Sequence, residues 1–297
     1  MVDLSVDVPR QAISVAMPIY NAGAHLRLAV LSVLAQSFTD WELLIMDDGS
    51  TDNALHSIAD IADSRIRISS DGSNRGLAAR LNEACELSSG IYFARMDQDD
   101  VCYPTRFACQ VNALRMDPSL DVVASRVITI NEHNAMVGSF PHAISHDEVC
   151  AHPWRGFYFP HPSWMGRTAW FRDNRYADNP APYFCEDQEL LTRCWQHSRF
   201  ATVDQVLVAY RIRSKIDWYR LAKTRRATVD MQIKIFAQDR LWGQLALSLL
   251  SHVIKSGADI IRRRRGTFTS ATAPDSMLAA DWNEVLKLLG QHPKLAS

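Results

Sequence analysis

The first 130 residues of this chain alternate between two hydrophobic periods, and that alternation limits the folds open to them. Ala12-Ile13-Ser14-Val15-Ala16-Met17 reads as a buried strand ended by Pro18. Leu26, Ala29, Val30, Val33 and Leu34 then recur at helical spacing. Trp41 to Met46 is the next strand, and a helix is predicted over 52–62 with Leu55, Ile58 and Ala59 on one face. Arg65 to Ile68 alternates as a half-buried strand, Leu77 to Leu87 aligns Leu77, Leu81, Ala84 and Cys85 as a helix, and Ile91 to Met96 is a fourth strand. Strands alternating with helices predict a parallel, doubly wound sheet, which binds ligands beyond the carboxyl ends of its strands.

The pattern is less regular afterwards. A helix is predicted at 104–116, a strand at 121–130, and a loop rich in His, Pro and aromatics over 131–166. Helical spacing returns at Leu190, Leu191, Cys194 and Trp195, and a strand is predicted at 202–210. From Lys215 the chain is helical and more basic, with a Thr/Ser/Ala/Pro linker at 267–276 and a short helix at 277–289.

Several classes of function are disfavoured. The formal net charge is -1, so no global basic character points to nucleic acid. No Gly-x-x-x-x-Gly-Lys-Ser/Thr loop exists, which disfavours a P-loop ATPase, and no Gly-x-Gly-x-x-Gly follows the first strand, which disfavours a dinucleotide dehydrogenase. The six cysteines form no Cys-x-x-Cys pair or zinc spacing, and read as small buried hydrophobes in a reducing compartment. Met1 to Arg10 lacks an apolar signal core, and no uncharged apolar run is long enough to span a membrane. A cytoplasmic protein, at the inner face of the membrane or free of it, is expected.

Each of the four early strands ends in polar or turn chemistry: Pro18-Ile19-Tyr20-Asn21, Asp47 to Asp52, Asp71 to Gly76, and Asp97-Gln98-Asp99-Asp100. In extended backbone, residues two apart point the same way, so Asp97 and Asp99 would face one point, as ligands of a hard divalent cation do. Singly, each cluster has a plain explanation: an acidic turn, an Asp48-Gly49 turn with an N-cap at Ser50 or Thr51, a turn at Asn74 and Gly76, a half-buried Tyr20. All four at one sheet edge supply an aromatic face, a hydrogen-bonding carboxylate and a metal-ready pair, a set that suits a nucleoside diphosphate.

The segments Ser14 to Asn21, Asp47 to Asp52, Asn74-Arg75-Gly76-Leu77-Ala78 and Met96 to Asp100 resemble, in order and spacing, the motifs of inverting family 2 glycosyltransferases with the GT-A fold. His161-Pro162-Ser163 and Glu186-Asp187-Gln188-Glu189-Leu190 resemble that family's later acceptor-side motifs. The resemblance covers roughly 12–213. It implies an α/β fold with a mixed sheet flanked by helices, here with a C-terminal helical extension. It divides the chain into a catalytic unit at 1–214 (nucleotide-binding half 12–100, acceptor-binding half 101–214) and an extension at 215–297. It implies a UDP-sugar donor bound with Mn²⁺ or Mg²⁺, and transfer of a hexosyl or N-acetylhexosaminyl group to a glycan or lipid-linked acceptor for surface polysaccharide or glycoconjugate synthesis. Pro18, Tyr20 and Asp48 would hold the uracil, with Asn21, Asn74, Gly76 and Gln98 completing the donor set. Asp97 would lie near ribose and metal, Asp99 would ligate the metal, and Asp187 would be the catalytic base.

Some alternatives stay open. Glu186 and Asp187 precede a helical run and would also complement its dipole, and Glu186 could orient the acceptor. His161 and Trp164 could line an acceptor groove, or His161 could be a structural loop residue. Arg211 and Arg213 could meet a pyrophosphate or form a solvated basic edge. Trp242, Ala246, Leu249, Val253 and Ile260 form one helical stripe before Arg262-Arg263-Arg264-Arg265. Such a helix either packs on the catalytic unit or binds anionic lipid headgroups as a peripheral membrane contact. A sugar-nucleotide pyrophosphorylase would need a Gly-rich basic loop after the first strand, which Pro18 to Gly23 is not. A non-catalytic nucleotide-sugar-binding protein would be marked by loss of Asp99 or Asp187, and both are present.

Overall fold

A computed structural model of the chain describes residues 12–178, 184–212, 217–265 and 275–291. The central strand β1 (Ile13–Ile19) is buried along its whole length. It pairs in parallel with β2 (Trp41–Asp47) on one side and β4 (Tyr92–Arg95) on the other, and β3 (Ile66–Ser70) pairs in parallel with β2. Pro18 lies inside β1 without breaking it, because the β4 register ends at Ala16↔Arg95 and no β4 carbonyl is left waiting for its missing N–H. Helices α1 (Leu26–Leu34) and α2 (Leu77–Leu87) cross between these strands.

The second half contains β5 (Val101–Cys102), α3 (Arg106–Met116), β6 (Val122–Ile130), β7 (Met136–Ser139), α4 (His146–Val149), β8 (Met165–Arg167), α5 (Thr168–Asp173), α6 (Glu186–Cys194) and β9 (Phe200–Arg211). The strands form one sheet in the order β3-β2-β1-β4-β8-β6-β9-β5, with β7 paired to β6. Three long helices follow: α7 (Trp218–Gln238), α8 (Trp242–Arg265) and α9 (Ser276–Gly290). Apolar faces of α1 and α3 pack on one side of the sheet around Val30, Val33, Phe107 and Val111. The other side is covered by α2, α5 and α6 around Leu81, Phe171, Leu190 and Leu191.

The parallel expectation holds for β1 to β4 and fails at β8, which runs antiparallel to both β4 and β6. Between β6 and β8 the chain folds back through β7, antiparallel to β6, and carries only the four-residue α4 rather than the long crossover helix that a parallel connection uses. The segment 131–166 is more structured than a loop: α4 begins with a capping box between Ser145 and Glu148, and β8 closes the segment. The helix predicted at 52–62 shrinks to a 3-10 turn at Ala54–Ile58. Asp52 Oδ1 accepts from Ala54 N–H at 3.2 Å and Ser57 Oγ donates to the Ala54 carbonyl at 2.6 Å, and such local polar partners compete with helix. Arg213 and the linker at 267–274 lie outside the described residues.

Candidate active site

The four polar clusters do meet at one edge, where β1, β2, β3 and β4 end. Tyr20 leaves β1 with its side chain about half exposed, at 49%. Its peptide is gripped by the Gln98 amide: Tyr20 N–H donates to Gln98 Oε1 at 2.7 Å, and Gln98 Nε2 donates to the Tyr20 carbonyl at 3.2 Å. Asn21 sits at φ 50, and its Oδ1 accepts from the N–H groups of Thr51 and Asp52 at 2.8 and 3.2 Å. Both amides therefore shape the ledge under Tyr20, and Pro18 is buried in β1 beneath it.

Asp48 is buried and clamps the loop before α2. Its carboxylate accepts from Arg75 N–H (2.7 Å), Gly76 N–H (2.9 Å) and Arg80 Nε (3.0 Å). Gly76 has φ 88 as it enters α2, a left-handed conformation that glycine adopts without strain. Arg80 is fully buried and also binds Asp71 at 2.5 Å, which holds the Asp71 carboxyl well below the usual carboxylate range. Asn74 is exposed at the lip of this loop, and Asp47 is absorbed by Ser50 N–H and Ser70 Oγ.

The aspartates lie in a turn rather than on a strand, since β4 stops at Arg95. The turn does more than extended geometry would. One oxygen each from Asp97, Asp99 and Asp100 lies within 4.8 Å of the others. Burial first, then the Asp97 charge, pushes the Asp99 carboxyl up to about 6. Burial, Asp97 and Asp99 raise Asp100 well above its ordinary value. Asp100 Oδ1 accepts from Arg211 N–H at 2.7 Å, while its Oδ2 is buried with no hydrogen-bond partner among the described residues. A convergent all-carboxylate set with an orphaned buried oxygen fits a hard divalent cation of the Mg²⁺ or Mn²⁺ kind.

A second carboxylate pair opens α6. Glu186 and Asp187 occupy its first turn, where the helix dipole favours negative charge. Burial and the Asp187 charge push Glu186 up to about 7, and burial also raises Asp187, against hydrogen bonds from Gln188. Between the two acid groups sits Arg95, buried, with Nη2 2.5 Å from Asp97 Oδ1 and with Nε and Nη1 lacking hydrogen-bond partners among the described residues. Its positive charge lowers the carboxyls of Asp99 and Asp100 on one side and of Glu186 and Asp187 on the other.

The acceptor-groove expectation for Trp164 is overturned. Its side chain is fully buried, its indole N–H donates to the Phe159 carbonyl at 3.1 Å, and its ring packs on Phe159 and His161. His161 is also buried, hydrogen-bonded to Tyr176 Oη at 2.8 Å, with Nδ1 3.9 Å from Glu186 Oε1. Burial and the Arg95 charge keep this imidazole neutral, so it supports Glu186 from behind rather than meeting solvent.

The model of Glycosyl transferase family 2 matches residues 14–177, more than half of the chain. The chain belongs to glycosyl transferase family 2. The β-1,3-glucosyltransferase WfgD of Escherichia coli, named for UDP-Glc and α-D-GlcNAc-diphosphoundecaprenol, is 30% identical over 139 residues, covering 46% of this chain and 54% of that protein. The putative glycosyltransferase EpsE of Bacillus subtilis is 31% identical over 163 residues, covering 54% of this chain and 58% of its own length. The matches thus span a little over half of these relatives. S. aureus TarS 1-349, solved with UDP-GlcNAc, superposes with a TM-score of 0.62 at 16% identity, over 81% of this chain and 72% of that chain, which shows a shared fold.

For a family 2 chain, the residues missed by sequence reasoning are those that serve other residues. Asp100 lies in the Met96–Asp100 segment, but the two-residue spacing of extended backbone does not pair it with Asp97 or Asp99. The sequence alone offers Arg211 as a pyrophosphate contact or part of a basic edge. Instead its Nε donates to the Asp99 carbonyl at 2.8 Å and its Nη2 to Asn134 Oδ1 at 2.7 Å, bracing the acidic turn. Arg95 carried no signal except its place beside the acids.

Proposed function

We propose that this chain is a metal-dependent inverting glycosyltransferase. It moves a sugar from a UDP-sugar to a hydroxyl of a glycan or lipid-linked acceptor in surface polysaccharide or glycoconjugate synthesis. The observation that carries this reading is the pair of acid groups, one fit for a cation and one for a proton, that share the charge of the buried Arg95. The names of WfgD and EpsE, and the TarS fold, agree with it. The unpaired state of all six cysteines suits work on the cytoplasmic side of a membrane.

In this reading the half-exposed Tyr20 ring stacks on uracil, and the loop clamped by Asp48 and Arg80 walls the base. Asp97, Asp99 and Asp100 would hold Mn²⁺ or Mg²⁺, which would supply a Lewis-acid contribution of several kcal/mol against the charge on the departing diphosphate. The acceptor hydroxyl attacks the anomeric carbon from the opposite face. Asp187 takes its proton, and general-base catalysis of this kind contributes about 10²–10⁴-fold. Glu186, backed by neutral His161, orients the hydroxyl and shares the pair's proton. The catalytic unit is 1–214, and 215–297 is an extension.

Asp187→Asn is the direct test. Transfer from UDP-sugars, followed as UDP release, should fall by about 10²–10⁴-fold. Calorimetric UDP affinity with Mn²⁺ should stay within a few-fold. Turnover close to wild type would remove Asp187 from its role, and failure of the wild-type chain to bind UDP would remove the donor.

A further inference from the structure

Helix α8 is inside out. Its residues facing α7 and the Pro153–Arg155 turn are small or polar. Ser248 Oγ donates to Gln232 Oε1 at 2.6 Å, Asp259 pairs with Arg225, and Lys255 Nζ reaches the Arg155 carbonyl at 2.7 Å. The opposite face carries Trp242, Leu250, Val253, Ile254, Ile260 and Ile261, each between 52% and 68% exposed. At about 100° per residue, these fall with Ala246, Leu249 and Gly257 on one arc of roughly 140° that holds no charge from Trp242 to Ile261. A helix facing only water has the reverse arrangement, and a patch of this kind marks a contact surface. Among the described residues, no helix is long and apolar enough to cross a membrane.

The charge around this face selects the partner. From Trp242 to Arg265 there are five Lys and Arg against one Asp, a net +4 within a chain of net charge -1. The run Arg262-Arg263-Arg264-Arg265 adjoins the end of the apolar arc. A second copy of this face would oppose cation to cation, whereas an anionic bilayer complements both the apolar arc and the basic flank.

We propose that α8 lies in the surface of an anionic phospholipid bilayer, with its uncharged arc among the acyl chains and Arg262 and Arg263 at the headgroups. The helix is tied to the acceptor side of the site. Gln232 Nε2 donates to the Pro153 carbonyl at 3.0 Å, and Phe157, in the same segment, donates its N–H to Gln188 Oε1 at 2.9 Å, next to Asp187. A bilayer held by α8 would therefore lie near the end of the site that receives the acceptor. This deepens the lipid-linked acceptor reading above and rests on it.

The test is co-sedimentation with vesicles, which needs neither donor nor acceptor. Vesicles of phosphatidylglycerol and phosphatidylcholine in equal parts, at low salt, should bind the wild-type chain at least about tenfold more tightly than phosphatidylcholine alone. Val253→Glu with Ile254→Glu, both at exposed positions, should weaken that binding at least about tenfold while calorimetric UDP affinity is kept. Arg262→Glu with Arg263→Glu should remove the preference for the anionic vesicles. Wild-type chain left in the supernatant with both vesicle types would overturn the proposal, as would variants that sediment like wild type. A wild-type dimer, detected by light scattering, that Val253→Glu with Ile254→Glu converts to monomer without any vesicle binding would overturn it in favour of a contact between copies. UDP affinity is measured on the same samples, so loss of vesicle binding and loss of the transferase reading are told apart.

Discussion

Asp97, Asp99 and Asp100 crowd three carboxylates into a turn, while Glu186 and Asp187 set two at the start of a helix. Burial and mutual repulsion raise members of both groups, and both feel the charge of Arg95. They differ in what can relieve them. The pair has a helix dipole, the Gln188 amide at 3.2 Å from Asp187 Oδ2 and one neutral imidazole, so a single shared proton settles it near neutral pH. The triad has oxygens converging on one point and an orphaned Asp100 Oδ2, so a proton on one oxygen leaves the other two still opposed. Number and convergence thus separate a site for a cation from a site for a proton, although the side chains are chemically alike.

The largest effect should come from removing the charge both groups share. Arg95→Met leaves Asp97 without its guanidinium partner and removes a positive charge that Asp99, Asp100, Glu186 and Asp187 all feel. Removing one partner of a buried ion pair typically costs about 3–5 kcal/mol, and urea unfolding at pH 7 should show a loss of that size. The loss should shrink on acidification as the carboxylates take up protons. A change below about 1 kcal/mol at neutral pH would mean that Arg95 does not tie the two groups together.

Asp99→Asn comes next and acts on the triad alone. Loss of the cation's several kcal/mol should lower turnover about a thousandfold, and the Mn²⁺ signal in electron paramagnetic resonance titrations should stay that of free ion. The metal-free variant should nevertheless be more stable than metal-free wild type. Asp99 titrates at about 6 in the fold against 3.8 in the unfolded chain, so between those values the unfolded chain gives up its proton first. This group therefore lowers the stability of the metal-free protein progressively as pH rises from about 4 to 6, and fully above that. Thermal melts of variant and wild type should converge below pH 4 and separate by pH 7. Saturating Mn²⁺ should close the gap for wild type only. A variant less stable than wild type at pH 7 without metal would contradict the repulsion.

Glu186→Gln probes the pair. With its neighbour neutral, Asp187 loses a repelling charge and should hold its proton less tightly. The acid limb of the kcat/KM profile should move to lower pH, and kcat at high pH should fall less than in Asp187→Asn. A limb that stays in place would show that the pair does not share its titration.

How much of this could be read in advance follows from the distances involved. The first half was legible because each strand, its turn and its helix are contiguous: Leu77–Leu87 falls on its predicted bounds, and the polar clusters landed together because parallel strands end on the same side. Strand β8 is three residues long, and its partners in β4 and β6 lie roughly 40 to 75 residues away, so no local period announced it. With β8 hidden, the Trp164 next to it looked like a groove residue rather than core. The stripe on α8 was visible, but periodicity says which residues share a face, not what that face meets. Asp100 was hidden because a turn, not a strand, carries the motif.

The smallest prediction concerns how the triad is held. Trp282 of α9 is buried, and its Nε1 donates to the Asn134 carbonyl at 2.7 Å. Asn134 stands at φ 62, and its side chain accepts from Arg211, whose guanidinium also reaches the Asn131 carbonyl and the Asp99 carbonyl. The acidic turn is thus propped from the far end of the chain, whereas the pair on α6 is held by its own helix. Trp282→Phe keeps most of the buried ring and deletes one hydrogen bond, a loss of about 1 kcal/mol. If that bond steadies the turn, Mn²⁺ affinity should fall by a few-fold and the pH limb set by Glu186 and Asp187 should not move. An equal shift in both would mean that α9 supports the whole fold rather than the cation site. Unchanged Mn²⁺ affinity together with the expected loss of stability would confine its effect to packing around Tyr103.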